Sequence, residues 1–210
     1  MKASERVWFL WNVYRRLDKT TRRAWSRLGK GSVFVDVGAN VGEISKAAHA
    51  KGAIVYCIEP NPWAMQALRR ALSEDDRTHV YDFAASTSDG SAHLFLHEQH
   101  EDDPRLFSSG SSLFGSKPNV SGAGLSVPSR DLSKFLLELG RVDFLKIDIE
   151  GYEVELVPHL VRSLDWERIG FVAVETHDKE KWSDLRGPTS KMKELVDRAG
   201  LAAKFSWNWP

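Results

Sequence analysis

The chain has 210 residues, 42% apolar and 28% charged, the proportions of an ordinary soluble globular protein with room for one domain and a real core. Its 29 Lys and Arg balance 29 Asp and Glu, which speaks against nucleic acid as a partner. The single cysteine, Cys57, excludes an intrachain disulfide and fits a reducing, cytoplasmic setting, and no apolar run approaches the ~20 residues of a membrane span.

The charge is unevenly spread. Residues 1–30 hold nine Lys or Arg against Glu5 and Asp18, so the rest of the chain carries a matching acidic excess. The apolar stretch "VWFLW" is short, is followed by arginines and has no small-residue cleavage site, so it does not read as a signal peptide. Val7, Leu10, Tyr14, Leu17, Thr21 and Trp25 recur at three- and four-residue steps and predict a helix over residues 4–28 with a basic opposite face. Two readings of it stand. One is a helix packed on the domain with a solvated positive face. The other is a helix that meets a peripheral membrane surface or an anionic partner, which Trp8, Trp11 and Trp25 keep open.

From residue 31 a methodical alternation begins. Strands are predicted at Val33–Val37, Ala53–Ile58, His79–Ala84, Ala92–His97, Val142–Ile149, Phe171–Glu175 and Leu201–Trp207. Helices are predicted at Gly42–Ala50, Pro62–Leu72, Asp131–Leu139, Tyr152–Leu160 and Ser190–Ala199. Strands spaced by helices of this length argue for an α/β fold with a doubly wound, mostly parallel sheet and helices on both faces. Residues 31–210 therefore form the domain, and 1–30 a basic amphipathic helix before it. Residues 98–124 run acidic and then Ser/Gly-rich with no period, and are read as a mobile lid.

The strand ends carry the chemistry. In an open parallel sheet, ligands bind beyond the carboxyl ends of the strands. "SVFVDVGANVG" ends its strand in Asp36 and opens into a turn through Gly38, Asn40 and Gly42. A carboxylate there would repel a pyrophosphate and suits a ligand with an ammonium group. The next strand ends in "IEPNP", whose Glu59 can take both hydroxyls of a ribose. Together they describe an amino acid joined to a nucleoside, as in S-adenosylmethionine. Strict alternation in "DFLKIDIEG" puts Lys146, Asp148 and Glu150 on one face, and "FVAVETHD" adds Glu175 and His177. That convergence suits general-base work on a hydroxyl, or equally a divalent ion held by oxygen ligands, with Mg²⁺ open and no ligand set assigned. The cluster His97, Glu98, His100, Glu101, Asp102 and Asp103 reads as a solvated loop. Trp182, Trp207 and Trp209 are either a sugar-stacking wall or packing residues.

"VFVDVGANVG", "IEPNP", "DFAASTSDG", "SSGSSL", "VDFLKIDIEGYEVELV" and "VETH" stand in the order seen in FkbM-type S-adenosylmethionine-dependent methyltransferases, which the chain resembles over about residues 31–178. The resemblance implies a Rossmann-like class I methyltransferase fold and O-methylation of a hydroxyl on a sugar or natural product. It implies that Asp36, Gly38, Asn40 and Gly42 line the methionine half of the cofactor, that Glu59 holds the ribose and that Asp82 lies near the adenine. Lys146, Asp148, Glu150 and His177 would face the methyl group and the acceptor, with Asp148 or His177 as base or metal ligand and Lys146 biasing the local field. The usual antiparallel seventh strand is not evident; either it is missing or residues 91–97 pair elsewhere. Two alternatives remain, a nicotinamide-dependent oxidoreductase and a non-catalytic scaffold recruited through the basic helix. Gly-x-Asn-x-Gly after Asp36 argues against the first, and the intact strand-end carboxylates against the second.

Overall fold

Valine, isoleucine and phenylalanine fill the short strands, and each strand is followed by a segment whose apolar side closes one face of the sheet. The computed structural model describes residue 11 and residues 14–72, 75–102, 108, 110–178 and 180–209. Residues 4–10 of the predicted N-terminal helix and residues 103–107 of the predicted lid lie outside the described residues.

In chain order the elements are α1 (Lys19–Ser26), β1 (Val33–Val37), α2 (Glu43–Ala50), β2 (Ile54–Ile58), α3 (Pro62–Ala71), β3 (Thr78–Tyr81), β4 (Ala84–Ser86) and β5 (Gly90–His97). Then follow β6 (Val120–Asp131), α4 (Leu132–Leu139), β7 (Phe144–Ile147), α5 (Glu153–Ser163), β8 (Val172–Val174), α6 (Arg186–Arg198) and β9 (Phe205–Ser206). The main sheet has the order β3-β2-β1-β7-β8-β9, and all its ladders are parallel. Its order reverses between β1 and β7, which places a crevice at their carboxyl ends. Val35, Val37, Leu145 and Ile147 pack on one face with the apolar sides of α4, α5 and α6. Phe34, Val55 and Phe144 pack on the other with α1, α2 and α3. This is the Rossmann-like doubly wound fold that the sequence predicts.

Three stretches differ from expectation. The predicted strand His79–Ala84 divides, with Thr78–Tyr81 in the main sheet and Ala84–Ser86 in a second, three-stranded sheet of order β4-β6-β5. β6, unforeseen, pairs antiparallel with β5 and begins inside the segment read as a lid. Residues 91–97 thus do pair elsewhere. At the far edge, β9 lies parallel to β8, and a single antiparallel bridge joins Glu175 to Asn208.

The predicted helix over 4–28 breaks at Leu17. Asp18 caps α1, accepting the Thr21 amide at 2.9 Å, and also accepts from Ser206 at 2.6 Å. Trp25 is buried and meets Phe34 and Phe144 edge-on at 5.6 and 5.7 Å. Trp11 stays 57% exposed with Arg15 over its ring, and Trp8 lies outside the described residues. No helix among the described residues is long and apolar enough to cross a membrane.

Candidate active site

Parallel register sets Asp36 of β1 beside Lys146 of β7, and both face the core under α2. Both are buried, at 0% and 3% exposure. The Lys146 Nζ lies 3.0 Å from Asp36 Oδ1 and 3.2 Å from Asp148 Oδ2, and it donates to the Gly38 carbonyl at 2.8 Å. Ser45 of α2 donates to Asp36 Oδ2 at 2.6 Å. Burial opposes the charge on Lys146, but Asp36 and Asp148 outweigh it and hold the ammonium above its ordinary pKa. The Asp36–Lys146 pair lies beneath the crevice, and the residues that line the cavity include Gly38 and Asp148 on either side of it but neither member of the pair. Cys57, beside Asp36 in β2, is pushed up to about 12 by burial and by Asp36, so its thiol is inert.

Above this pair lies a cavity of about 140 Å³ at the carboxyl ends of β1, β2, β7 and β8. Gly38, Asn40, Glu59, Asp148, Glu150 and Glu175 contribute to its wall. Gly38 has a φ of +77°, and a Cβ there would strike the Asp148 carbonyl oxygen, so only glycine lets the two strand ends approach. Gly42, by contrast, gives room to Leu68 of α3; it serves helix packing and not the wall. Asp82 is exposed in the turn that leaves the main sheet and is also off the wall.

Glu59 ties two loops together. Its Oε2 accepts the Asn40 amide and its Oε1 the Asn61 amide, each at 2.8 Å. Burial pushes its carboxyl up to about 7, against the pull of those amides. Asn61 caps α3 and passes a hydrogen bond to Ser111 at 3.0 Å. Ser108 donates to Asn40 at 3.2 Å, and Ser112 donates to the Glu150 carbonyl at 2.7 Å. The serine-rich segment thus roofs the cavity. Lys117, buried, closes its far end on Glu150 Oε2 at 2.7 Å.

His177 stands behind the wall. Its Nε2 is 3.7 Å from Asp148 Oδ1 and 3.6 Å from Glu150 Oε2, and its Nδ1 is 3.2 Å from Glu153 Oε1. Burial opposes protonation, but Glu153, Glu150 and Asp148 outweigh it and push the imidazole up to about 9. The carboxylates around His177 thus favour a proton on its ring, and both residues expected as base, Asp148 and His177, stand at this end of the cavity. Asp148, Glu175 and His177 each offer a ligand atom within 4.8 Å of the others.

Sequence reasoning missed Ser45, Asn61, Lys117, Glu153 and the serine contacts. Asn61 had a signal, an Asn immediately before a helix-starting Pro62. Lys117 had none, since no periodicity ties it to Glu150. In the histidine-rich cluster, Glu98, Glu101 and Asp102 are exposed as expected, but His100 is buried edge-on to Trp63 at 4.2 Å. Trp182 and Trp209 are buried and Trp207 stacks on Phe205, so all three are packing residues.

Four carboxylates, those of Glu59, Asp148, Glu150 and Glu175, stand on the cavity wall beside the glycine turn. No curated protein and no solved structure gives a match to the chain. The family model of the methyltransferase FkbM domain matches residues 36–198. That stretch runs from the end of β1 through α6, takes in every loop that builds the cavity, and makes the chain a member of the FkbM methyltransferase family.

Proposed function

We propose that the protein transfers the methyl group of S-adenosylmethionine to a hydroxyl oxygen of a sugar or natural-product acceptor. The observation that carries this reading is Glu59, a buried carboxylate at the end of β2 that lines the cavity while its amide partners fix the loops on either side. Each carboxylate oxygen already accepts one amide and retains a second lone pair, which suits the two hydroxyls of a ribose. The carboxylates on the cavity wall, Glu59 and Glu150 among them, make it a favourable place for a cationic ligand.

The acceptor oxygen attacks the methyl carbon in line. A C–O bond forms as the C–S bond breaks, and its electron pair stays on sulfur, leaving S-adenosylhomocysteine. The hydroxyl proton leaves by way of the Asp148 carboxylate, which lines the cavity while Lys146 holds its other oxygen. Most of the rate gain comes from holding oxygen, carbon and sulfur on one axis. The base adds on the order of 10²–10⁴-fold.

Calorimetric titration with S-adenosylmethionine and S-adenosylhomocysteine tests the cofactor. The expected result is micromolar binding of both, about −8 kcal/mol. Failure to bind either nucleoside overturns the reading. A screen of sugar and polyketide hydroxyls, read by release of S-adenosylhomocysteine, then tests the acceptor class. Asp148→Asn should keep cofactor binding and lose turnover.

A further inference from the structure

We propose that Asp148, Glu175 and His177 hold one divalent transition-metal ion of the manganese–iron–zinc class in the cavity wall, and that Glu153 orients His177 for it. Three observations carry this. The ligand atoms of the three residues, drawn from the loops after β7 and β8, lie within 4.8 Å of one another. The 3.7 Å between His177 Nε2 and Asp148 Oδ1 is too long for a hydrogen bond. It is close to the spacing of two ligands on one ion: at about 2.1 Å from the metal and bond angles of about 110–120°, they stand about 3.4–3.6 Å apart.

The third observation is the far side of the imidazole. Glu153 is 1% exposed, and its carboxylate is fixed by the amides of Ile149 at 2.7 Å and Gly151 at 2.9 Å. Its Oε1 faces His177 Nδ1 at 3.2 Å, which leaves Nε2 toward the cavity carboxylates. A buried carboxylate behind the distal nitrogen is how a ligating histidine is held in one tautomer and ring orientation. Neighbouring charges sort the set. Glu150 Oε2 is engaged by Lys117 at 2.7 Å, so Glu150 stays out. Lys146 engages Asp148 Oδ2 at 3.2 Å and is balanced by Asp36, so Oδ1 is the ligating atom.

An imidazole among the ligands moves the preference away from Mg²⁺, the ion the sequence left open, toward Mn²⁺, Fe²⁺ or Zn²⁺. Three protein ligands leave positions open to the cavity. The role of the ion rests on the methyl-transfer reading above, although its binding does not. Held there, the ion would supply Lewis-acid activation of an acceptor hydroxyl, and Asp148 would hold it through Oδ1 while Lys146 engages Oδ2.

The test uses the full chain stripped with chelator and titrated with Mn²⁺, followed by loss of the free-ion electron paramagnetic resonance signal. S-adenosylhomocysteine binding is measured on the same samples. The expected result is one Mn²⁺ site per chain. His177→Ala and Asp148→Asn should weaken it at least about tenfold, and Glu153→Gln about 10–100-fold although Glu153 touches no ion. A cooperative urea-unfolding transition like that of the wild type shows that each variant is folded. Zn²⁺ should displace Mn²⁺, and equimolar Mg²⁺ should not. Absence of wild-type Mn²⁺ binding at millimolar concentration, wild-type affinity in His177→Ala, or equal displacement by Mg²⁺ overturns the proposal. Nucleoside binding without Mn²⁺ binding removes the ion and keeps the cofactor. The reverse keeps the ion site and removes the cofactor.

Discussion

Glu59 shows how much one residue decides here. Its two oxygens set the spacing of the β1 and β2 loops, and burial brings its carboxyl up to about 7. The folded chain therefore holds this proton more tightly than an unfolded glutamate, whose pKa is 4.5. The contribution of Glu59 to stability is full below that value and is lost as pH rises through about 7. Ligand binding runs the other way. Ribose hydroxyls donate hydrogen bonds, so they need the carboxylate ionised. S-adenosylhomocysteine affinity should fall as pH drops below about 7, on the order of tenfold per unit once the proton is on. Calorimetry in buffers of different ionisation enthalpy reads both the affinity and the proton released. Glu59→Gln should flatten that profile at a low affinity. A profile unchanged by the substitution would take Glu59 out of the cofactor site.

At the scale of elements, β1 and β7 are joined by a charge pair as well as by a ladder. Lys146→Met would leave the fully buried Asp36 carboxylate facing the core with only Ser45 for company. Stranding a buried charge costs about 3–5 kcal/mol, and that loss is expected in urea unfolding. The double variant Asp36→Asn/Lys146→Met should recover most of it, since two neutral groups of similar volume carry no uncompensated charge. A loss below about 1 kcal/mol for the single variant would show that water reaches the pair. The strands that hold this pair were legible because period-2 alternation and a glycine turn mark them in the sequence. The pair itself was not: alternation tells which side a residue takes, but cross-strand register across 110 residues comes from packing. That is why the Asp36–Lys146 contact, with Lys146 also donating to the Gly38 carbonyl, had no signal in the sequence. β6 was illegible for a different reason. "VSGAGLSVPSRD" lacks the β-branched alternation of a strand, and it becomes one by pairing with β5. Lys117, Glu153 and the serines share that fate, because their partners are chosen by the tertiary fold.

At the scale of the whole molecule, the two ends of the sheet are chemically opposite. The carboxyl ends carry the acidic cavity, whereas the basic N-terminal segment seats α1 over the amino-terminal halves of β1 and β7. Trp25 is the anchor. It is 1% exposed and shares one aromatic cluster with Phe34, Phe144 and Trp209, while Asp18 ties the start of α1 to Ser206 of β9. A helix held in this way belongs to the core, whatever its outer face meets. Trp25→Ala should therefore cost about 3–5 kcal/mol, the range for emptying a large aromatic from a packed interior. The cavity lies at the opposite ends of the same strands, so the folded fraction of this variant should bind S-adenosylhomocysteine within about twofold of wild type, a change under ~0.5 kcal/mol. Urea unfolding and calorimetry on one preparation measure both. A small stability loss would make α1 an appendage whose aromatic contacts are incidental. A large affinity loss would mean that the amino-terminal packing is transmitted along β1 and β7 to Gly38 and Asp148, and that the anchor tunes the site from the far end of the sheet.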